Sequence, residues 1–200
     1  MLHLASRGVM TRSIVVAITG ASGTPYAIRL LEALAPRDDI HVDLVLSRTG
    51  AKLVSFEAKD DLERVHSLAE RVWDNDDFFA PVASGSHRFA GMVVIPASMK
   101  HVGLMAHGIG DDLIARTADV CLKERRTLVL VPRETPLSSI HLRNLLTLSE
   151  AGAHIVPAMP GFYTHPKTLD DVVAHVAGKA LDAMGIDDHD LYPRWRETPE

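Results

Sequence analysis

Residues 123–138 read KERRTLVLVPRETPLS, and the order of residue types in this stretch decides how the rest of the chain is read. Leu128, Val129, Leu130 and Val131 make a short apolar run rich in β-branched residues, the pattern of a strand buried on both faces. Pro132, Arg133 and Glu134 come next, then Thr135, Pro136, Leu137 and Ser138, and a helical pattern begins at Ile140. Buried strand, charged turn and helix start are consecutive parts of a βαβ unit. In open α/β sheets ligands bind beyond the carboxyl ends of the strands, so Arg133 and Glu134 stand where chemistry is expected. An Arg-Glu pair in a turn is also a common solvated surface feature. Here Pro132 and Pro136 bracket the pair, which restricts the backbone and lowers the cost of aiming two side chains.

The same order recurs upstream. Residues 13–19 (SIVVAIT) read as a first buried strand running into Gly20, Ala21, Ser22 and Gly23, followed by Tyr26, Ile28, Leu30, Leu31 and Leu34 at helical spacing. Glycines at such a turn let backbone N–H groups approach an anion, and the helix start adds its positive end. The turn is neither GxGxxG nor followed by a Walker lysine, so a nucleoside triphosphate site is not expected. Residues 40–46 form a second strand ending at Ser47, Arg48, Thr49 and Gly50, with a helix over 50–56 and Glu57 close behind. Residues 60–70 read as a polar helix, and 73–83 as irregular and acidic. Trp73, Phe78 and Phe79 are packing residues on this reading, because no basic residues interleave them as in a nucleic-acid stacking platform.

A third central strand, residues 91–95, ends in Pro96, Ala97, Ser98, Met99, Lys100 and His101. Residues 113–123 read as a helix carrying Cys121 as a packed residue, and 140–151 as an amphipathic helix closed by Gly152. A short strand at 154–156 leads through Pro160 and Gly161 to Tyr163, and Thr168 caps a helix to residue 184 with Asp170 and Asp171 in its first turn. Strands alternating with helices predict an α/β chain, three layers around a mainly parallel sheet. The division expected is a loosely held leader at 1–12, one domain at 13–186 and a polar arm at 187–200 that needs a partner surface to become ordered.

Composition narrows the class. The 200 residues carry a formal net charge of -5, which gives no reason to expect nucleic acid or an anionic membrane as partner. Any anionic ligand must be held by local donors. One cysteine excludes an internal disulfide and fits a reducing cytoplasm. The eleven histidines show no ligand spacing such as HExxH, so no metal site is expected.

Five segments carry a resemblance: TGASG after the first strand, ASGSHR before the third, PASMK after it, ADVCLKERRTLVLVPRETPLS, and PGFYTHPKTLDD. Together they resemble the UbiX-like flavin prenyltransferase family, over roughly residues 13–186, with LVPRETPLS and PGFY the most specific. The resemblance implies a Rossmann/flavodoxin-like fold and reduced FMN as the acceptor of a dimethylallyl group from dimethylallyl phosphate. The product, prenylated FMN, would serve a UbiD-type decarboxylase. It further implies a cytoplasmic homo-oligomer, a dodecamer, with sites shared between subunits.

Matched position by position, Gly20, Ala21, Ser22, Ser47, Ser98, Met99, Lys100, His101 and Arg133 would contact the flavin. Lys123, Arg133, Glu134, Tyr163 and Lys179 would form the phosphate pocket, and Trp195 would flank the prenyl group. Glu134, Lys123 and Glu57 are the implied catalytic residues, Glu57 standing near the reacting flavin edge. A phosphate leaving group needs cations, which Arg133, Lys123 and Lys179 supply without a metal. Aromatic faces stabilise the positive charge that develops on the prenyl carbon. Glu134 or the released phosphate would take the proton lost from flavin C6. Two departures stand out. Ala97 occupies a position that is often Cys in the family, and Lys179 one that is usually Arg, where charge is kept but the bidentate fork is lost. Other readings compatible with the fold are a flavoprotein decarboxylase and a non-enzymatic FMN-binding accessory subunit.

Overall fold

Ile14 to Ile18, five consecutive residues of β1 (Arg12–Ile18), are fully buried. Ile14, Val16 and Ile18 enter one apolar core, while Val15 and Ala17 enter another on the opposite face. Successive strand side chains point to opposite faces, so a strand covered on both sides has no polar face to show. That is the physical content of the continuous apolar runs in the sequence.

The computed structural model describes residues 11–57 and 62–195. Six parallel strands stand in the order β3-β2-β1-β4-β5-β6: β2 is Ile40–Leu46, β3 Arg71–Asp74, β4 Gly91–Ala97, β5 Thr127–Pro132 and β6 His154–Ile155. Helices α1 (Thr24–Leu34), α2 (Arg48–Glu57), α3 (Leu62–Ser67) and α7 (Leu169–Ala183) line the core that holds Ile14, Val16 and Ile18. Helices α4 (Met99–Ala106), α5 (Leu113–Lys123) and α6 (Ser139–Glu150) cover the other face. The three-layer, flavodoxin-like arrangement expected from the sequence is therefore the one observed. Strand order reverses between β1 and β4, and in such sheets this switch point opens a crevice at the carboxyl edge.

Four local readings change. The first strand starts at Arg12, which the sequence had assigned to the leader; its guanidinium donates to the carbonyls of Met184 and Gly185 and ties β1 to the end of α7. Residues 1–10 of that leader lie outside the described residues. The segment taken to turn irregular at Trp73 begins with β3, a four-residue edge strand whose residues are mostly exposed. An edge strand is solvated along one side, so it carries no apolar run for a sequence reading to find. Pairing with β2 defines it, reinforced by Trp73 Nε1 donating to Asp43 at 2.8 Å.

The helix read as amphipathic, α6, buries only Leu148; Ile140, Leu142 and Leu146 remain more than half exposed. Finally, residues 187–195 fold back on their own chain. Tyr192 is buried against α7, where a Cβ on Gly178 would stand 2.6 Å from its ring. Asp182 accepts from Arg194 Nη1 at 2.7 Å, from His189 Nε2 at 3.1 Å and from the Tyr192 hydroxyl.

Candidate active site

Gly20 at the end of β1, Ser47 after β2, Asp74, Asn75 and Asp76 after β3, Ser98 to His101 after β4, and Glu134 after β5 converge on one cavity of about 900 Å³. It lies at the switch point. Seven sequence-predicted site residues line it: Gly20, Ser47, Ser98, Met99, Lys100, His101 and Glu134. Two glycines let the elements meet there. A Cβ on Gly20 would approach Thr49 to 2.8 Å, and one on Gly50 would approach the Ile18 carbonyl oxygen to 2.4 Å. The start of α2 is thereby seated against the end of β1.

The two neighbouring helix starts differ in what they offer an anion. At α1 the seat is taken. Glu57 Oε2 accepts from Gly23 N at 2.8 Å, Thr24 N at 3.1 Å and Thr24 Oγ1 at 3.1 Å. Burial works to raise the Glu57 pKa, but hydrogen bonds from Ser22, Gly23 and Thr24 bring it below the ordinary carboxylate range. Glu57, implied as catalytic by the resemblance, is thus held at the start of α1 in the β1–α1 turn. The start of α2 is open to the cavity through Ser47, Arg48 and Thr49, with the Ser47 hydroxyl accepting from Gly50 N at 3.0 Å. An anion such as a phosphate suits this helix start.

Arg133 extends back over the β1–α1 turn, its Nε donating to the Ser22 carbonyl at 2.9 Å. This contact joins the loops after β1 and β5, and Ala21 is buried in the same turn. Glu134 is exposed at the cavity rim, one carboxylate oxygen accepting from Thr135 N at 3.1 Å. The segment leading to Tyr163 is tied to the same strand end by Ala158 N donating to the Pro132 carbonyl at 3.2 Å. Tyr163 meets Trp195 edge-on at 5.3 Å between ring centroids and His175 at 5.7 Å. His175 in turn packs on Tyr192 at 4.7 Å. Lys179 lies 5.9 Å from the Tyr192 ring and pairs with Asp182 at 3.4 Å. These residues form an aromatic and cationic cluster over α7, outside the cavity lining.

One predicted residue stands at the opposite edge of the sheet. Lys123 ends α5 at the amino edge of the sheet, bonded to Glu124 at 2.6 Å and facing Gly85 in the loop before β4. Within one chain it cannot join Glu134 at the carboxyl edge, because the length of β5 separates them. His101 lines the cavity but is buried, with both ring nitrogens engaged. Nδ1 is 3.0 Å from Ser98 Oγ, and Nε2 is 3.0 Å from Asp112 Oδ2.

Asp112 was missed by the sequence reading. It caps α5 by accepting from Ala115 N at 2.9 Å. Burial alone would raise its pKa, yet the bonds from His101, Ala115 and Asn75 hold it down at about 2. An Asp before an apolar helix signals the cap; its pairing with a residue of α4 has no sequence signal. Cys121 is buried, and burial pushes its thiol up to about 12, as suits a packing residue. Among the described residues no cluster of three or more potential metal ligands occurs, and no helix is long and apolar enough to cross a membrane.

The parallel sheet, its switch-point cavity and the open start of α2 define a flavodoxin-like mononucleotide-binding protein, and residues 5–181 match the Flavoprotein family. The chain is 46% identical over 182 residues to the flavin prenyltransferase UbiX of Methanocaldococcus jannaschii, covering 91% of this chain and 97% of that one. It superposes with a TM-score of 0.90 on a crystal structure of AnUbiX (PadA1) in complex with FMN and dimethylallyl pyrophosphate, at 44% identity over 94% of this chain and all of the other. A dodecameric FMN-dependent UbiX-like decarboxylase from Escherichia coli O157:H7 gives a TM-score of 0.89 at 43% identity, covering 92% and 99% of the two chains. The chain belongs to the flavin prenyltransferase family.

Proposed function

We propose that this protein is a flavin prenyltransferase that moves a dimethylallyl group from dimethylallyl phosphate onto N5 and C6 of reduced FMN. The observation that carries the reading is the switch-point cavity. Its volume of about 900 Å³ suits a mononucleotide, and it joins an open helix start to the Arg133–Glu134 loop. The start of α2, with Ser47, Arg48 and Thr49, would hold the FMN phosphate, and the isoalloxazine would lie along Gly20 and residues 98–101.

The donor phosphate falls to Arg133, Tyr163 and Lys179, beside the prenyl group against Tyr163 and Trp195. As the allylic C–O bond breaks, negative charge grows on phosphate, where fixed cations stabilise it. Positive charge grows on the prenyl carbon, where the aromatic faces do the same. N5 forms the first bond to the prenyl group as phosphate leaves; a proton added to the remaining prenyl double bond then lets C6 form the second, and Glu134 takes the proton that C6 loses.

Lys123 enters this scheme only from a second subunit. A homo-oligomer supplies one, and the exposed apolar residues Ile140, Leu142 and Leu146 of α6, with Phe79 and Phe162, are the kind of surface that assembly covers. A dodecamer is the assembly we infer. A UbiD-type decarboxylase is the proposed recipient of the prenylated flavin, in the cytoplasm.

The test is anaerobic incubation of the protein with reduced FMN and dimethylallyl phosphate, followed by mass spectrometry of the released flavin. A gain of one prenyl unit is expected. Unmodified flavin, with binding verified and the pyrophosphate donor also tried, overturns the assignment.

A further inference from the structure

Ser98, His101 and Asp112 form a continuous hydrogen-bonded line from the interior of the protein to the cavity wall. All three are more than nine-tenths buried, yet each contributes to the cavity lining. The line is held from both sides. Ser98 N donates to Thr19 Oγ1 at 2.7 Å, and Thr19 Oγ1 donates to the Pro96 carbonyl at 2.6 Å, which anchors the strand end that carries Ser98. At the other end Asp112 is fixed as the cap of α5, with Asn75 beside it: Leu113 N donates to the Asn75 carbonyl at 2.8 Å and Ile114 N to its Oδ1 at 3.2 Å.

Polarity follows from the anchored end. A carboxylate only accepts, so Nε2 of His101 carries a proton toward Asp112. In the neutral imidazole Nδ1 is then the acceptor, and the single Ser98 hydroxyl proton is spent on it. Ser98 is left with lone pairs and no proton to offer the cavity. Although Ser98 precedes α4, its side chain makes no cap bond, so nothing in the helix competes for that oxygen.

We propose that the Asp112–His101–Ser98 line makes Ser98 an obligate hydrogen-bond acceptor toward a flavin N–H, so that the pocket prefers reduced FMN, which carries N5–H, to oxidised FMN, which does not. Ser98 is the contact; His101 and Asp112 are positioning residues. The inference rests on the flavin-binding reading and extends it. When N5 is alkylated, its proton passes to Ser98 Oγ as the Ser98 proton moves to His101 Nδ1. The resulting imidazolium faces the Asp112 carboxylate, the allylic C–O electron pair leaves with phosphate, and charge balances with no further reactant.

The test measures dissociation constants of reduced and oxidised FMN, without prenyl donor, for the full-length protein and for Asp112→Asn and Ser98→Ala. Asn keeps the cap on Ala115 but can donate to Nε2, which reverses the line and turns Ser98 into a donor. One mismatched buried contact is expected to lower the preference for reduced FMN about tenfold. Ser98→Ala should lose the same preference, and adding Asp112→Asn to it should change nothing more. An unchanged ratio in folded Asp112→Asn or Ser98→Ala protein overturns the proposal, as does an equal loss for both redox forms. Failure of the wild-type protein to bind FMN at all would instead remove the flavin reading itself.

Discussion

Replacing Glu57 by Gln separates the cap that the structure shows from the catalytic role that the resemblance implies. All three donors, Gly23 N, Thr24 N and Thr24 Oγ1, converge on a single oxygen, Oε2, at 2.8, 3.1 and 3.1 Å. Gln can keep a neutral oxygen at that position, so the substitution removes mainly the charge-assisted part of these bonds and the attraction to the start of α1. An N-cap is worth about 1 kcal/mol and a charge at a helix start roughly 0.3–1 kcal/mol, with solvent at the half-buried carboxylate favouring the lower figures. The expected cost is about 0.5–1 kcal/mol, or roughly 1–4 °C in melting temperature for a domain of this size.

The assay is thermal unfolding of flavin-free protein at fixed protomer concentration, since assembly makes the transition depend on concentration. The pH dependence has a definite sign. The folded pKa of Glu57 lies below its unfolded value, so its contribution is complete above the unfolded value, about 4.3, and disappears as pH falls through the folded one. The gap between wild type and Glu57→Gln should therefore be full at pH 7 and shrink as pH falls below about 4.3. Equal melting temperatures at pH 7, or a gap that widens in acid, would refute the capping argument.

Two further outcomes are expected. Lys123→Ala and Glu134→Gln should each slow prenyl transfer strongly, and oligomers assembled from an equal mixture should regain about a quarter of wild-type activity if each site draws the two residues from different subunits. No recovery would place both residues in one subunit's site or remove one of them from the chemistry. Asp182→Asn should release residues 187–195 at a cost of about 1–3 kcal/mol, because Arg194, His189 and Tyr192 all bond to that carboxylate. Trypsin cleavage at Arg194 should quicken accordingly, and an unchanged rate would show that Tyr192 packing alone holds the tail.

What the sequence determined by itself is the set of features that local chemistry dictates. Ile40–Leu46 and Leu113–Lys123 lie where periodicity placed them, because a doubly covered strand and a helix with one apolar face each impose a repeat on their own residues. The strand ends that line the cavity were legible for the same reason, since Gly20, Ser47, Ser98 and Glu134 each follow an apolar run.

Only the tertiary structure decided which partners these residues find. Glu57 looked free to act and is bound to the start of α1, 34 positions before it in sequence. His101 lines the cavity and is bonded to Asp112, 11 positions on, while Lys123 and Glu134, also 11 positions apart, sit at opposite edges of the sheet. The four-residue edge strand β3 exists through its pairing with β2, and the tail is ordered through Tyr192 on Gly178. Periodicity records which face of an element avoids water. It carries no record of what meets that face, because those contacts join residues far apart in the chain and form only when the layers close.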